Sequence, residues 1–115
     1  MKLKMKSKIN EFFRLACISG DLQVIKYYIE KGVDIHINND YPLQCASRVG
    51  DLDVVKYLVE KGANIHALDD FPLQIATDFA YYDVLKVLTK DLPKKEQSYW
   101  LSKCLKNAEA NQLYD

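Results

Sequence analysis

Two histidines, three cysteines and a pair of adjacent aspartates are the residues of this 115-residue chain whose types could do chemistry. His36 and His66 stand 30 residues apart. Two imidazoles could begin a metal site, but such sites take three or four ligands. No third ligand accompanies them, and Asp34 beside His36 becomes Asn64 beside His66. The expected role is structural, an imidazole bonding loop backbone. Cys17, Cys45 and Cys104 fall at apolar or small positions and form no CxxC pair. That spacing excludes a disulfide framework and a usual zinc finger, and no histidine lies near Cys17 or Cys104 to make a nucleophile with its base. Asp69 and Asp70 form a carboxylate pair, yet no apolar pocket is implied that would raise one of them for acid catalysis. One is expected to cap a helix and the other to face water.

Composition removes further classes. The four glycines, Gly20, Gly32, Gly50 and Gly62, are too scattered for a phosphate-cradling loop. Sixteen basic residues balance sixteen acidic ones, which argues against a general nucleic-acid surface. No apolar run approaches the roughly 18 residues of a membrane span. The start carries Lys2, Lys4, Lys6 and Lys8 with no apolar stretch behind them, so a secretory leader is not expected. The lysines are expected to add charge to a frayed tail. Unpaired cysteines fit a reducing compartment such as the cytoplasm.

What positions these residues is a repeat. Residues 20–49 and 50–79 align without a gap and share sixteen of thirty positions. Fainter matches extend the period: Phe13, Ala16 and Gly20 answer Leu43, Ala46 and Gly50, and Asp83, Val84 and Lys86 answer Asp53, Val54 and Lys56. The pattern stops after Asp91. Within the unit, Leu52, Val54, Val55, Leu58 and Val59 make one helical stripe. Asp51 is placed to cap it and Gly62 to end it. The matching stripe is Leu22, Val24, Ile25, Tyr28 and Ile29, closed by Gly32. A shorter helix has Pro42 or Pro72 in its first turn, with Asp40 or Asp70 just ahead as a possible cap. Leu43, Cys45 and Ala46 face inward, as do Leu73, Ile75 and Ala76. The stretch from Ala63 to Phe71 reads as a loop or short finger. So small a helix pair cannot bury its stripe alone, whereas stacked copies can.

Pro42-Leu43-Gln44-Cys45-Ala46 and Pro72-Leu73-Gln74-Ile75-Ala76 resemble the T-P-L-H-x-A motif of ankyrin repeats. The segment from Gly50 to His66 resembles the second ankyrin helix and the start of the next finger. The likeness covers about residues 9–92. The period is 30 rather than the usual 33, and the shortening falls between Ala67 and Pro72. Tyr41 or Phe71 replaces the threonine, and Gln44 or Gln74 the histidine, so the usual bond between those two is absent and a tight turn replaces a full hairpin finger. This short variant looks like the ankyrin proteins of giant DNA viruses of amoebae.

The expected fold is therefore all-α: an ankyrin-repeat solenoid of about three helix-turn-helix units with short fingers, plus a C-terminal capping helix. One domain spans 1–115, with an N-terminal tail and capping helix over 1–19, repeats over 20–92 and the terminal cap over 93–115. In the first part Ser7 is a possible N-cap, with Ile9, Phe12, Phe13 and Ala16 turned inward. In the last, Trp100, Leu101, Cys104, Leu105 and Ala108 form one face, which covers the end of the stack or, alternatively, recruits host machinery as an adapter. Lys26, Lys56 and Lys86, with Tyr27 and Tyr57, line a solvated outer face.

One stretch stands out. No Lys or Arg lies between Lys61 and Lys86, while Asp69, Asp70, Asp78 and Asp83 interleave with Phe71, Phe79, Tyr81 and Tyr82. The ankyrin resemblance implies that fingers and the exposed end of the short helices hold partners. Carried over, that face comprises Asn38, Asn39, Tyr41, Arg48, Val49, Leu68, Asp69, Phe71, Asp78 and Phe79. Aromatic residues anchor interfaces and aspartates favour a basic segment. The competing expectation is that Phe71, Phe79 and Tyr82 pack against the terminal helix as core, which is favoured for Tyr82. The function expected is a non-enzymatic protein-protein interaction module, without cofactor, nucleic acid or membrane partner. It would act as a monomer or weak homo-oligomer in the cytoplasm (the host cytoplasm for a viral chain). Self-association through the terminal helix or a bare repeat end is the alternative.

Overall fold

Repetition of one apolar pattern produces repetition of one packing arrangement. In the computed structural model of the chain the described residues are 2–113, with side chains described for 8–112. They form seven helices and no strand: α1 Lys2–Ser19, α2 Leu22–Glu30, α3 Ile37–Val49, α4 Leu52–Glu60, α5 Ala67–Asp78, α6 Tyr82–Thr89 and α7 Lys94–Leu113. Helices α1, α3 and α5 make an inner row, α2, α4 and α6 an outer row, and α7 packs on both α5 and α6. The result is the expected solenoid of three helix pairs and a terminal helix.

The core is a ladder of equivalent positions. Phe13, Leu43 and Leu73 supply one rung series, and Ile25, Val55 and Leu85 another, all fully buried. Ala16, Ala46 and Ala76 are also buried, their small side chains letting the inner helices pack closely. Each fully buried large side chain is worth about 1.5–3 kcal/mol, so the ladder, shared across units, holds helices too short to stand alone. Asp51 caps α4 as expected, accepting from the backbone N–H of Val54, and Asp21 caps α2 in the same way, accepting from those of Gln23 and Val24.

Three expectations for the first helix are corrected. Ser7 is not a cap, because α1 already runs from Lys2. Lysine, leucine and methionine are good helix formers and no glycine or proline interrupts them, so the lysine-bearing start is helical rather than frayed. Phe13 and Ala16 are buried, but Ile9 and Phe12 are exposed, since no described helix lies on that side of α1. At the other end Cys104 is fully buried and Trp100, Leu101 and Ala108 are partly so, whereas Leu105 points to solvent. Asn107 Nδ2 donates to the carbonyl of Thr77 at 2.9 Å, and Gln97 Nε2 donates to those of Lys90 and Leu92. Helix α7 thereby serves carbonyls at the end of α5 and in the α6–α7 turn.

Candidate partner-binding face

Each finger is built by a short chain of local bonds. The side-chain oxygen of Asp34 accepts from the N–H of His36 at 2.9 Å, and Asn64 does the same for His66 at 3.0 Å. Aspartate and asparagine interchange here because only that oxygen is used. A single left-handed turn follows, with positive φ at Asn38, Asn39 and Asp40 and again at Leu68, Asp69 and Asp70. Gln44 Nε2 donates to the Asn39 carbonyl at 2.6 Å, and Gln74 Nε2 to that of Asp69. The glutamines that replace the ankyrin histidine thus hold the shortened finger from inside the following helix. The regular helix begins at Tyr41 or Phe71, which puts Pro42 and Pro72 in the first turn as expected.

His36 and His66 are structural, though by a different bond from the one expected. His36 Nδ1 donates to the Asp40 carboxylate at 3.0 Å, and His66 pairs likewise with Asp70. Neither aspartate caps its helix. Asp40, only 4 % exposed, accepts a second bond at 2.7 Å from the N–H of Asn64 in the next finger. It therefore ties consecutive repeats. Asp70 has no such second donor among the described residues and its side chain is partly exposed.

The cysteines carry no site geometry. All three are free and buried. Burial, with Cys45 close by, pushes the Cys17 thiol up to about 12, and burial also raises that of Cys104. A thiol so raised stays protonated at neutral pH and is a poor nucleophile. No group of three or more His, Cys, Asp or Glu among the described residues could hold a metal ion.

The ten residues expected to meet a partner separate into two kinds. Asn38, Asn39, Leu68 and Asp69 are exposed on the finger turns, and Arg48, Val49, Asp78 and Phe79 are exposed at the ends of α3 and α5. Val49 is 58 % exposed, Leu68 52 % and Phe79 53 %. Tyr41 and Phe71 differ, being half buried between inner helices. The Tyr41 hydroxyl is pushed up by its hydrogen bond with Cys45 and then by burial. Phe71 lies under the Arg48 guanidinium, 5.7 Å from the ring centroid. The two aromatics hold the face together more than they offer themselves on it.

A groove of about 310 Å³ runs along α3, lined by Ile18, Tyr41, Cys45, Arg48 and Val49. Positions 41, 45 and 48 share one helix face by their spacing. Ile18 and Cys45 are not among the expected residues; aligning Ile18 with Arg48 and Asp78 across the period would find the first of them. Phe79 does not join the core. Its ring stacks on Tyr81 at 5.7 Å and 24°, and Tyr81 Oη donates to the Arg48 carbonyl at 3.3 Å. Tyr82 is exposed rather than core, with Lys86 over its ring. Tyr81 is a residue the sequence pattern underrates. It stands where Asp21 and Asp51 cap, and α6 has no side-chain cap. Its ring instead covers Gly50, where an added Cβ would come within 2.9 Å.

Helix pairs stacked by a common ladder, fingers between them and a terminal helix closing one end define an ankyrin-type solenoid. The chain belongs to the ankyrin-repeat family: the family model for ankyrin repeats, three copies, matches residues 13–98. It is similar to a putative ankyrin repeat protein of Acanthamoeba polyphaga mimivirus, with 44 % identity over 43 residues. That match covers 37 % of this chain and 17 % of the relative, so the chain spans a small part of that protein. No solved structure matches the chain. Ankyrin repeats generally mediate protein-protein interaction.

Proposed function

We propose that the chain holds a basic segment of another protein along the fingers and exposed ends of its inner helices, and does so without catalysis. The observation that carries this reading is Leu68. It is exposed and adopts a left-handed φ of 50°, where the preceding repeat uses Asn38. A branched apolar side chain gains nothing there from burial and is strained by the backbone. Strain kept at an exposed position is a mark of function. Asp69, Asp78 and Phe79 add charge and apolar area to the same face, and no Lys or Arg lies between Lys61 and Lys86 to neutralise the acids. Affinity would come from desolvating Leu68, Val49 and Phe79, and orientation from the aspartates. The partner is expected in the cytoplasm, that of the host for a viral chain.

The test is affinity capture with the wild-type chain and with a chain carrying alanine at Leu68, Asp69, Asp78 and Phe79. The variant keeps its helical circular dichroism and loses a partner that the wild type retains. A folded variant that captures every partner equally well removes this reading.

A further inference from the structure

The groove along α3 departs from the packing that repeats elsewhere. One period on, its Ile18, Tyr41 and Cys45 are answered by Arg48, Phe71 and Ile75. In that later repeat the long Arg48 side chain lies over the Phe71 ring, 5.7 Å from its centroid. In the earlier one Ile18 is shorter than arginine, and Cys45 is smaller than isoleucine. The room left between α1 and α3 is about 310 Å³, at the small end for a ligand pocket and on the scale of a side chain rather than a helix. Ile18 and Val49, 56 % and 58 % exposed, give it apolar walls. The Tyr41 hydroxyl is already bonded to Cys45.

The open polar group at its edge is the Arg48 guanidinium. Among the described residues it meets no carboxylate at ion-pair distance. Its seat on the Phe71 ring fixes the guanidinium plane and leaves the N–H edge free. Asp78 stands at the equivalent position one repeat on, exposed and likewise without a cation among the described residues. Adjacent packed helices lie about 8–10 Å apart, so about three residues of extended chain reach from Arg48 to Asp78.

We propose that the groove anchors one apolar side chain of the partner segment, with an acidic side chain of that segment on Arg48 and a basic one on Asp78. This rests on the reading above of a basic segment held along the same face, and adds to it an anchor and a charge order. Ile18, Val49 and Cys45 desolvate the apolar side chain, and a carboxylate matches the guanidinium fork. A segment of the reverse order would set like charges together at both Arg48 and Asp78, which selects against it.

Selection of random linear peptides displayed on phage, with the full chain as bait, tests this. The expected consensus is a large apolar residue next to Asp or Glu, with Lys or Arg about three positions beyond the acid. Affinity for a synthetic consensus peptide falls by about tenfold or more in Ile18→Glu and in Arg48→Glu, each with unchanged circular dichroism. A peptide whose acid is changed to lysine recovers binding to Arg48→Glu. Should a charge disturb the end of α1, Ile18→Ser gives the same reading. Selected peptides that need Asp78 but ignore the folded Ile18 and Arg48 variants overturn the anchor and leave the basic-segment reading standing. Peptides that need Ile18 and Arg48 but ignore Asp78→Ala keep the anchor and remove that reading. A library that yields no consensus overturns the proposal, whatever affinity capture returns.

Discussion

Leu68 and Asn38 occupy one place in consecutive repeats, and the difference between them is informative. Asparagine tolerates the left-handed region because its amide bonds locally, whereas leucine does not. Leu68→Asn is expected to raise stability by about 1 kcal/mol in urea unfolding and to weaken partner capture. Unchanged stability would mean that Leu68 carries no strain. Asp40 and Asp70 make a second informative pair. Both read as caps, since each precedes a proline-started helix. Their real use depends on the left-handed turn, which aims the carboxylate at a histidine four residues earlier. Asp40→Ala removes a buried acceptor and leaves the Asn64 N–H without it, costing about 1–3 kcal/mol. Asp70→Ala, at the partly exposed copy, should cost less than about 1 kcal/mol. Equal losses in the two variants would contradict the inter-repeat role of Asp40.

Among the elements, the helices are legible in the sequence because their stripes are periodic. Leu52, Val54, Val55, Leu58 and Val59 define a buried face by spacing alone. The fingers are not, because a single left-handed turn has no periodicity: Asn38, Asn39 and Asp40 hint at it, but Leu68 takes the same conformation against its type. The start of α1 deceives for a related reason: alternating lysines suggest a solvated tail, yet lysine, leucine and methionine are all willing helix formers. The junction between α5 and α6 shows a rule broken locally. Gly50 becomes Ala80, which still takes φ of 58°, and the cap aspartate becomes Tyr81. Ala80→Gly should therefore stabilise the chain by about 1 kcal/mol. Gly50→Ala should destabilise it by more, since it adds strain and meets the Tyr81 ring. Thermal unfolding of the two variants checks the opposite signs.

For the whole molecule, the period of 30 gives the architecture and the family, because any one helix pair needs its neighbours to bury its stripe. The binding surface is less legible. Eight of the ten expected residues are exposed, but periodicity treats Tyr41 and Phe71 as equally available when they lie between repeats. It also hides Tyr81, whose support of Phe79 arises only once α6 is docked beside Gly50. The central claim is that one side of this solenoid, the fingers and inner-helix ends, meets the partner. Hydroxyl-radical footprinting of the chain, alone and with a captured partner, measures that directly. Leu68, Val49 and Phe79 are expected to lose reactivity in the complex while Tyr82 and Tyr99 on α6 and α7 keep theirs. Protection confined to Tyr82 and Tyr99, with Leu68, Val49 and Phe79 unchanged, would contradict the claim.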